Sequence, residues 1–229
     1  PAQHQPMQLR PRFGRPLRLA IIGGGPDSWI GTLHRGAAVM DGWFSVTAGV
    51  FSSDPVRSRT AGAMLGIDPA RSYGDVAEML ESEAQRSDGI DAVAIMTPND
   101  THYRYAAAAL DAGLDVIGDK PVTETFAQAC DLVARTRALG SPLGLYNHGG
   151  WSGEPENLVA VCRYLREHHD GAHVGIVYNQ HHGHSHVDRF AAALAAMQPY
   201  LLCLNLNGLT RDGDQRGLKI QPLGQGELD

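Results

Sequence analysis

The sequence is short of cysteine, has no long apolar run and carries no surplus of positive charge. Its three cysteines, Cys130, Cys162 and Cys203, are odd in number and far apart. They form no CxxC pair, which argues against a disulfide frame and against a cysteine zinc site. A reducing compartment, the cytoplasm, is the expected location. No uninterrupted apolar stretch approaches the ~20 residues a membrane helix needs, so no membrane partner is expected. A net charge of -6 argues against a nucleic-acid partner, because such surfaces carry a basic excess. Residues 1–16 are Pro-, Gln- and Arg-rich, show no secretory pattern and read as a mobile leader. What remains is ordinary for a folded chain. At 229 residues and 43% hydrophobic content, it can fill one large core or two modest ones.

The first clear pattern is strand, glycine turn, helix. Residues 17–22 form a short apolar run that stops at Gly23-Gly24-Gly25. Pro26, Asp27 and Ser28 follow, and residues 29–40 carry helical apolar periodicity. Glycines let backbone amides approach a pyrophosphate, and a helix start adds its positive dipole end. Gly23 and Gly25 fit the GxGxxG spacing, while Ser28 stands where the third glycine would be. A second strand, residues 45–51, ends at Ser52 and Ser53, with Asp54 after them. In NAD enzymes an acidic side chain near this point binds the ribose hydroxyls. Two small hydroxyls followed by Arg57 and Arg59 suit a 2′-phosphate instead, so NADP is favoured slightly over NAD. The alternative is that both arginines form the solvated face of the next helix.

Further βα units follow. A helix begins at residue 75, and residues 90–96 are a buried strand ending in Thr97-Pro98-Asn99, with His102 close behind. An alanine-rich helix over residues 103–112 stops at Gly113. Residues 114–118 make a strand ending in Asp119-Lys120-Pro121. Open parallel sheets bind ligands beyond the carboxyl ends of their strands, where the glycine turn, Asn99 and Lys120 are all expected. A lysine at such an end can stabilise an alkoxide or handle a proton. Its structural alternative is a surface lysine paired with Asp119. Pro98 and Pro121 are read as fixing loop shape, and His102 as a packing or hydrogen-bonding residue.

On Ile22-Gly23-Gly24-Gly25, Thr97-Pro98-Asn99 with His102, and Asp119-Lys120-Pro121, residues 17–140 resemble the N-terminal domain of the Gfo/Idh/MocA family (glucose–fructose oxidoreductase and inositol dehydrogenase). That family usually has Glu-Lys-Pro at the third site. The resemblance implies an NAD(P)-dependent oxidoreductase acting on a sugar or polyol. It places Lys120 as the catalytic residue near the nicotinamide, and the other motif residues around the cofactor. Its members carry a large second domain built on an open, mainly antiparallel sheet. No strand-rich stretch with period-two alternation follows residue 150 here.

The second half continues as helix and strand. Residues 141–146 suit either a sixth strand of the first domain or a barrel strand. A helix over 155–168, a strand over 174–178, a helix over 187–197 and a strand over 201–206 follow. Histidines gather at His148, His168, His169, His173, His181, His182, His184 and His186. On residues 145–157, 174–184, 204–208 and 222–227, this half resembles part of the xylose-isomerase-like barrel family. That resemblance implies a divalent metal, with His148, Asn179 and His182 as ligands at strand ends. Asparagine where a carboxylate is expected weakens this metal reading, as does a match to about three of the eight βα units of such a barrel.

The expected fold is therefore α/β, a Rossmann-type parallel sheet followed by a few βα units of an incomplete barrel. Its parts are a leader (1–16), a dinucleotide-binding domain (17–144) and a barrel-like segment (145–229). Three functions compete: the oxidoreductase-like protein, a metal-dependent sugar isomerase or epimerase, and a non-catalytic fused fragment. Exposed edges of an incomplete barrel would favour self-association.

Overall fold

Four apolar runs set the first sheet. They are β1 (Leu17–Gly23), β2 (Phe44–Val50), β3 (Ala92–Met96) and β4 (Asp115–Gly118). All pair parallel, in the order β2-β1-β3-β4. Every residue of β3 is buried, as expected of a parallel strand covered on both faces. Leu19, Ile21, Ala94 and Met96 pack with Phe51 and Ile67 in the core. The computed structural model describes residues 14–217 and 220–227. Most of the leader, residues 1–13, lies outside them.

The helices between these strands start where short polar side chains can cap them. Helix α1 (Trp29–Met40) is capped by Ser28, α2 (Pro55–Met64) by Asp54 and α3 (Val76–Ala84) by Asp75. Each cap oxygen accepts from a backbone amide that the helix leaves unpaired. Helix α4 (Asn99–Asp111) starts four residues earlier than the 103–112 expected from sequence. Pro98 sets the start, its carbonyl accepting from Thr101 N at 2.9 Å and Thr101 Oγ1 at 2.6 Å. Helix α5 (Phe126–Leu139) was not singled out by its apolar pattern. Its start carries a reciprocal cap: Gln128 N donates to Thr125 Oγ1 and Thr125 N to Gln128 Oε1. The entry to β1 is fixed by Asp91. Its carboxylate accepts from Arg15 at 2.6 and 2.9 Å and from Arg18 N at 2.7 Å.

The chain divides between Arg135 and Thr136 into two units. The second holds β5 (Leu143–Tyr146), β6 (Val174–Asn179) and β7 (Leu201–Asn205), parallel and in sequence order. The strand left open between two sheets, β5, pairs with β6 from Leu143↔Val174 to Tyr146↔Val177. Helix α6 (Pro155–His168) buries Leu158, Val159, Cys162 and Leu165. Burial pushes the Cys162 thiol up to about 11, which leaves it unreactive. Helix α7 (Phe190–Met197) is shorter than the 187–197 expected, because a 3-10 turn, His184–Arg189, precedes it.

Candidate functional site

The candidate site is built from the carboxyl ends of β1, β2, β3 and β4 in the first unit. Gly23 and Gly24 have φ of +84° and +55°, a left-handed turn that glycine adopts without cost. A Cβ on Gly23 would collide with the Met96 carbonyl oxygen. Ser28, at the third-glycine position, is instead the cap of α1, its Oγ accepting from Gly31 N at 3.0 Å. Close approach of helix to turn is supplied by Gly31, where a Cβ would collide with the Gly24 carbonyl oxygen. Gly31 was missed from sequence. The signal available was a glycine inside an otherwise helical run. Arg35 of α1 reaches back to the turn and donates to the Gly24 carbonyl and, at 3.4 Å, to that of Gly25. Asp27 is exposed at the turn's tip. Amides at the α1 start that Ser28 does not satisfy suit an anion, helped by the helix dipole.

At the end of β2, Ser52 Oγ accepts from Asp54 N at 3.2 Å, and Ser53 is exposed. The Asp54 carboxylate accepts from Arg57 N at 2.7 Å as the α2 cap. Arg59 is committed to Glu78, at 3.1 and 3.2 Å. Arg57 forms no ion pair among the described residues.

The ends of β3 and β4 are tied together. Thr97 Oγ1 lies 2.7 Å from Thr101 Oγ1, and Asn99 is exposed as the first residue of α4. His102 is buried, 4% exposed. Its Nε2 lies 2.8 Å from the Thr97 carbonyl oxygen and its Nδ1 2.7 Å from that of Pro121. Asp119 accepts from His34 Nε2 of α1 at 3.1 Å. Lys120, expected from sequence to have Asp119 as its structural alternative partner, is exposed and makes no ion pair among the described residues. The Lys120–Pro121 peptide is cis. Pairing of Gly23 with Met96 and Ile95 with Gly118 sets the three strand ends side by side.

The histidine-rich region lies in the second unit. The His148 and His182 rings are 4.8 Å apart, and His182 lies 4.6 Å from His181. Asn179 caps a 3-10 turn, its Oδ1 accepting from His181 N at 3.1 Å while Nδ2 donates to Tyr146 Oη at 2.7 Å. Buried Asn147 bridges β5 to β6 through Asn179 N and O, at 2.7 and 3.0 Å. His186 is also buried and lies 2.8 Å from Tyr178 Oη and 3.2 Å from Glu154. Among the described residues, no group of three or more His, Cys, Asp or Glu is arranged to hold a metal ion. No described helix is long and apolar enough to cross a membrane.

Comparison with known proteins concerns mainly the first unit. Residues 17–146 match the family described as "Oxidoreductase family, NAD-binding Rossmann fold". The uncharacterized oxidoreductase YfiI of Bacillus subtilis is 42% identical over 134 residues, 58% of this chain and 34% of that protein. Inositol 2-dehydrogenase 1 of Saccharopolyspora erythraea is 31% identical over 113 residues, 43% of this chain and 34% of that protein. An inositol dehydrogenase homolog from Azotobacter vinelandii, solved with NADH and myo-inositol, is 40% identical with a TM-score of 0.56. That similarity covers 67% of this chain and 39% of the homolog. The same homolog solved with NAD+ gives a TM-score of 0.57. The chain thus spans about a third of the length of the curated relatives named.

Proposed function

Because the chain belongs to the oxidoreductase family with an NAD-binding Rossmann fold, we propose that its first unit holds the cofactor for oxidising a sugar or polyol hydroxyl. The pyrophosphate is assigned to the Gly23-Gly24-Gly25 turn and the α1 start. Ser52 and Ser53 receive the adenosine ribose, and Thr97-Pro98-Asn99 and Asp119-Lys120-Pro121 border the nicotinamide. The observation that carries this reading is the convergence on one sheet edge of the glycine turn, Asn99 and a Lys120 that makes no ion pair among the described residues. The nicotinamide supplies the hydride-accepting carbon. Lys120 as the amine would take the proton of the substrate hydroxyl and, as the resulting ammonium, hold the oxygen by a hydrogen bond. A polyol substrate is supported by relatives named inositol 2-dehydrogenase and by the myo-inositol in the Azotobacter homolog's structure. The ribose end supports NADP(H), since Asp54 is engaged as a helix cap and Arg57, which makes no ion pair among the described residues, follows Ser52 and Ser53 in the first turn of α2. The Azotobacter homolog was solved with NADH and with NAD+, so the two cofactors are to be compared directly. NADH bound more tightly than NADPH would overturn this preference.

Turnover tests the catalytic assignment. The protein is mixed with NAD+ or NADP+ and a panel of polyols that includes myo-inositol, and formation of reduced nicotinamide is followed. Lys120→Ala is expected to lower kcat by about 100-fold or more, the scale of a lost acid–base group, while NADH affinity is kept. Full turnover in Lys120→Ala would contradict the role of Lys120. Nucleotide binding without turnover of any polyol would overturn the substrate assignment.

A further inference from the structure

The loop that carries Lys120 is held from both sides by histidines of other elements. On its amino side, Asp119 accepts from His34 Nε2 of α1 at 3.1 Å. On its carboxyl side, the Pro121 carbonyl lies 2.7 Å from His102 Nδ1 of α4. The other nitrogen of His102 faces the Thr97 carbonyl oxygen at 2.8 Å. Carbonyl and carboxylate oxygens accept, so the Asp119 bond uses the His34 Nε2–H, and a neutral His102 ring, with one N–H, donates to one of its two carbonyl neighbours at a time. Helix α1 begins at the glycine turn, and α4 begins at Thr97-Pro98-Asn99. The two residues flanking Lys120 are therefore anchored to the two helices whose starts border the assigned cofactor position. Lys120, between them, makes no ion pair among the described residues. His102 is 4% exposed, so its bonds do not compete with bulk water.

We propose that His34 and His102 are positioning residues that hold the Asp119-Lys120-Pro121 loop so that the Lys120 ammonium is aimed at the nicotinamide. This inference rests on the cofactor reading above. Neither histidine touches the reacting atoms; both act through the backbone and carboxylate on either side of the lysine.

The sequence contains two lysines, Lys120 and Lys219, so lysine-selective isotope labelling reads Lys120 almost alone. A Lys219→Arg variant assigns the signals. NADH is added to wild type, His34→Gln, His102→Gln and the double variant, with nicotinamide fluorescence recording binding and circular dichroism recording fold. Should the double variant fail to fold, the single variants carry the comparison. In wild type, the Lys120 side-chain signal is expected to shift on NADH binding. The shift is expected to shrink in each single variant and to vanish in the double variant, with NADH still bound. An equal shift in all variants would overturn the positioning role. A Lys120 signal that stays still in wild type with NADH bound would overturn the placement of Lys120 as well. Binding of neither NADH nor NADPH in wild type would defeat the cofactor reading itself. These results are distinguishable, and a merely structural role for the histidines would move the melting temperature without moving the Lys120 response.

Discussion

Asp91 shows what one side chain contributes away from the site. The Arg15 guanidinium beside it, aided by the Arg18 amide, holds its carboxyl down to about 2 from 3.8. A depressed carboxylate stabilises the fold above its unfolded pKa. That contribution is fully present above pH 3.8 and is lost as pH falls through about 2. With Arg15 partly exposed, screening reduces the gain to about 1–2 kcal/mol. Asp91→Asn is expected to lose that amount at neutral pH and to flatten the acid limb between the two pKa values. Urea unfolding across a pH series measures both, and an unchanged acid limb would contradict the account. Several residues of the candidate site could be named from sequence because they sit in short motifs: the three glycines, Asn99 and Lys120. His34 was not, because its partner Asp119 is 85 positions away. No local pattern records a pairing at that separation.

Elements were legible where apolar period and cap agree. Strands β1 and β3, and helices α1 and α6, lie where the periodicity puts them. The start of α4 was read late because Asn99 and Asp100 are polar and exposed, so the apolar period begins a turn after the helix does. Strand β5 stayed ambiguous because four residues name no pairing partner. The junction of β1 with α1 depends on Gly31, which no spacing rule marked. Gly31→Ala would drive a methyl into the Gly24 carbonyl. Overpacking of this kind costs about 1–3 kcal/mol. Because the displaced atoms form the assigned phosphate turn, NADH affinity should fall by about tenfold, equivalent to about 1.4 kcal/mol. A melting curve and an NADH titration check both effects. Stability lost with affinity unchanged would show that the turn is not the phosphate site.

For the molecule as a whole, the two units carry different weight. The family match covers residues 17–146, and the site geometry belongs to the first unit. The second unit offers βα units and a row of imidazoles with hydrogen-bonded neighbours. The central claim is nucleotide binding on the carboxyl edge of the four-stranded sheet. Titration of the full chain with NADH and NADPH, followed by nicotinamide fluorescence, tests it most directly. A saturable rise with at least one of them, weakened by Gly31→Ala and retained in Lys120→Ala, is expected. No response to either nucleotide would contradict it.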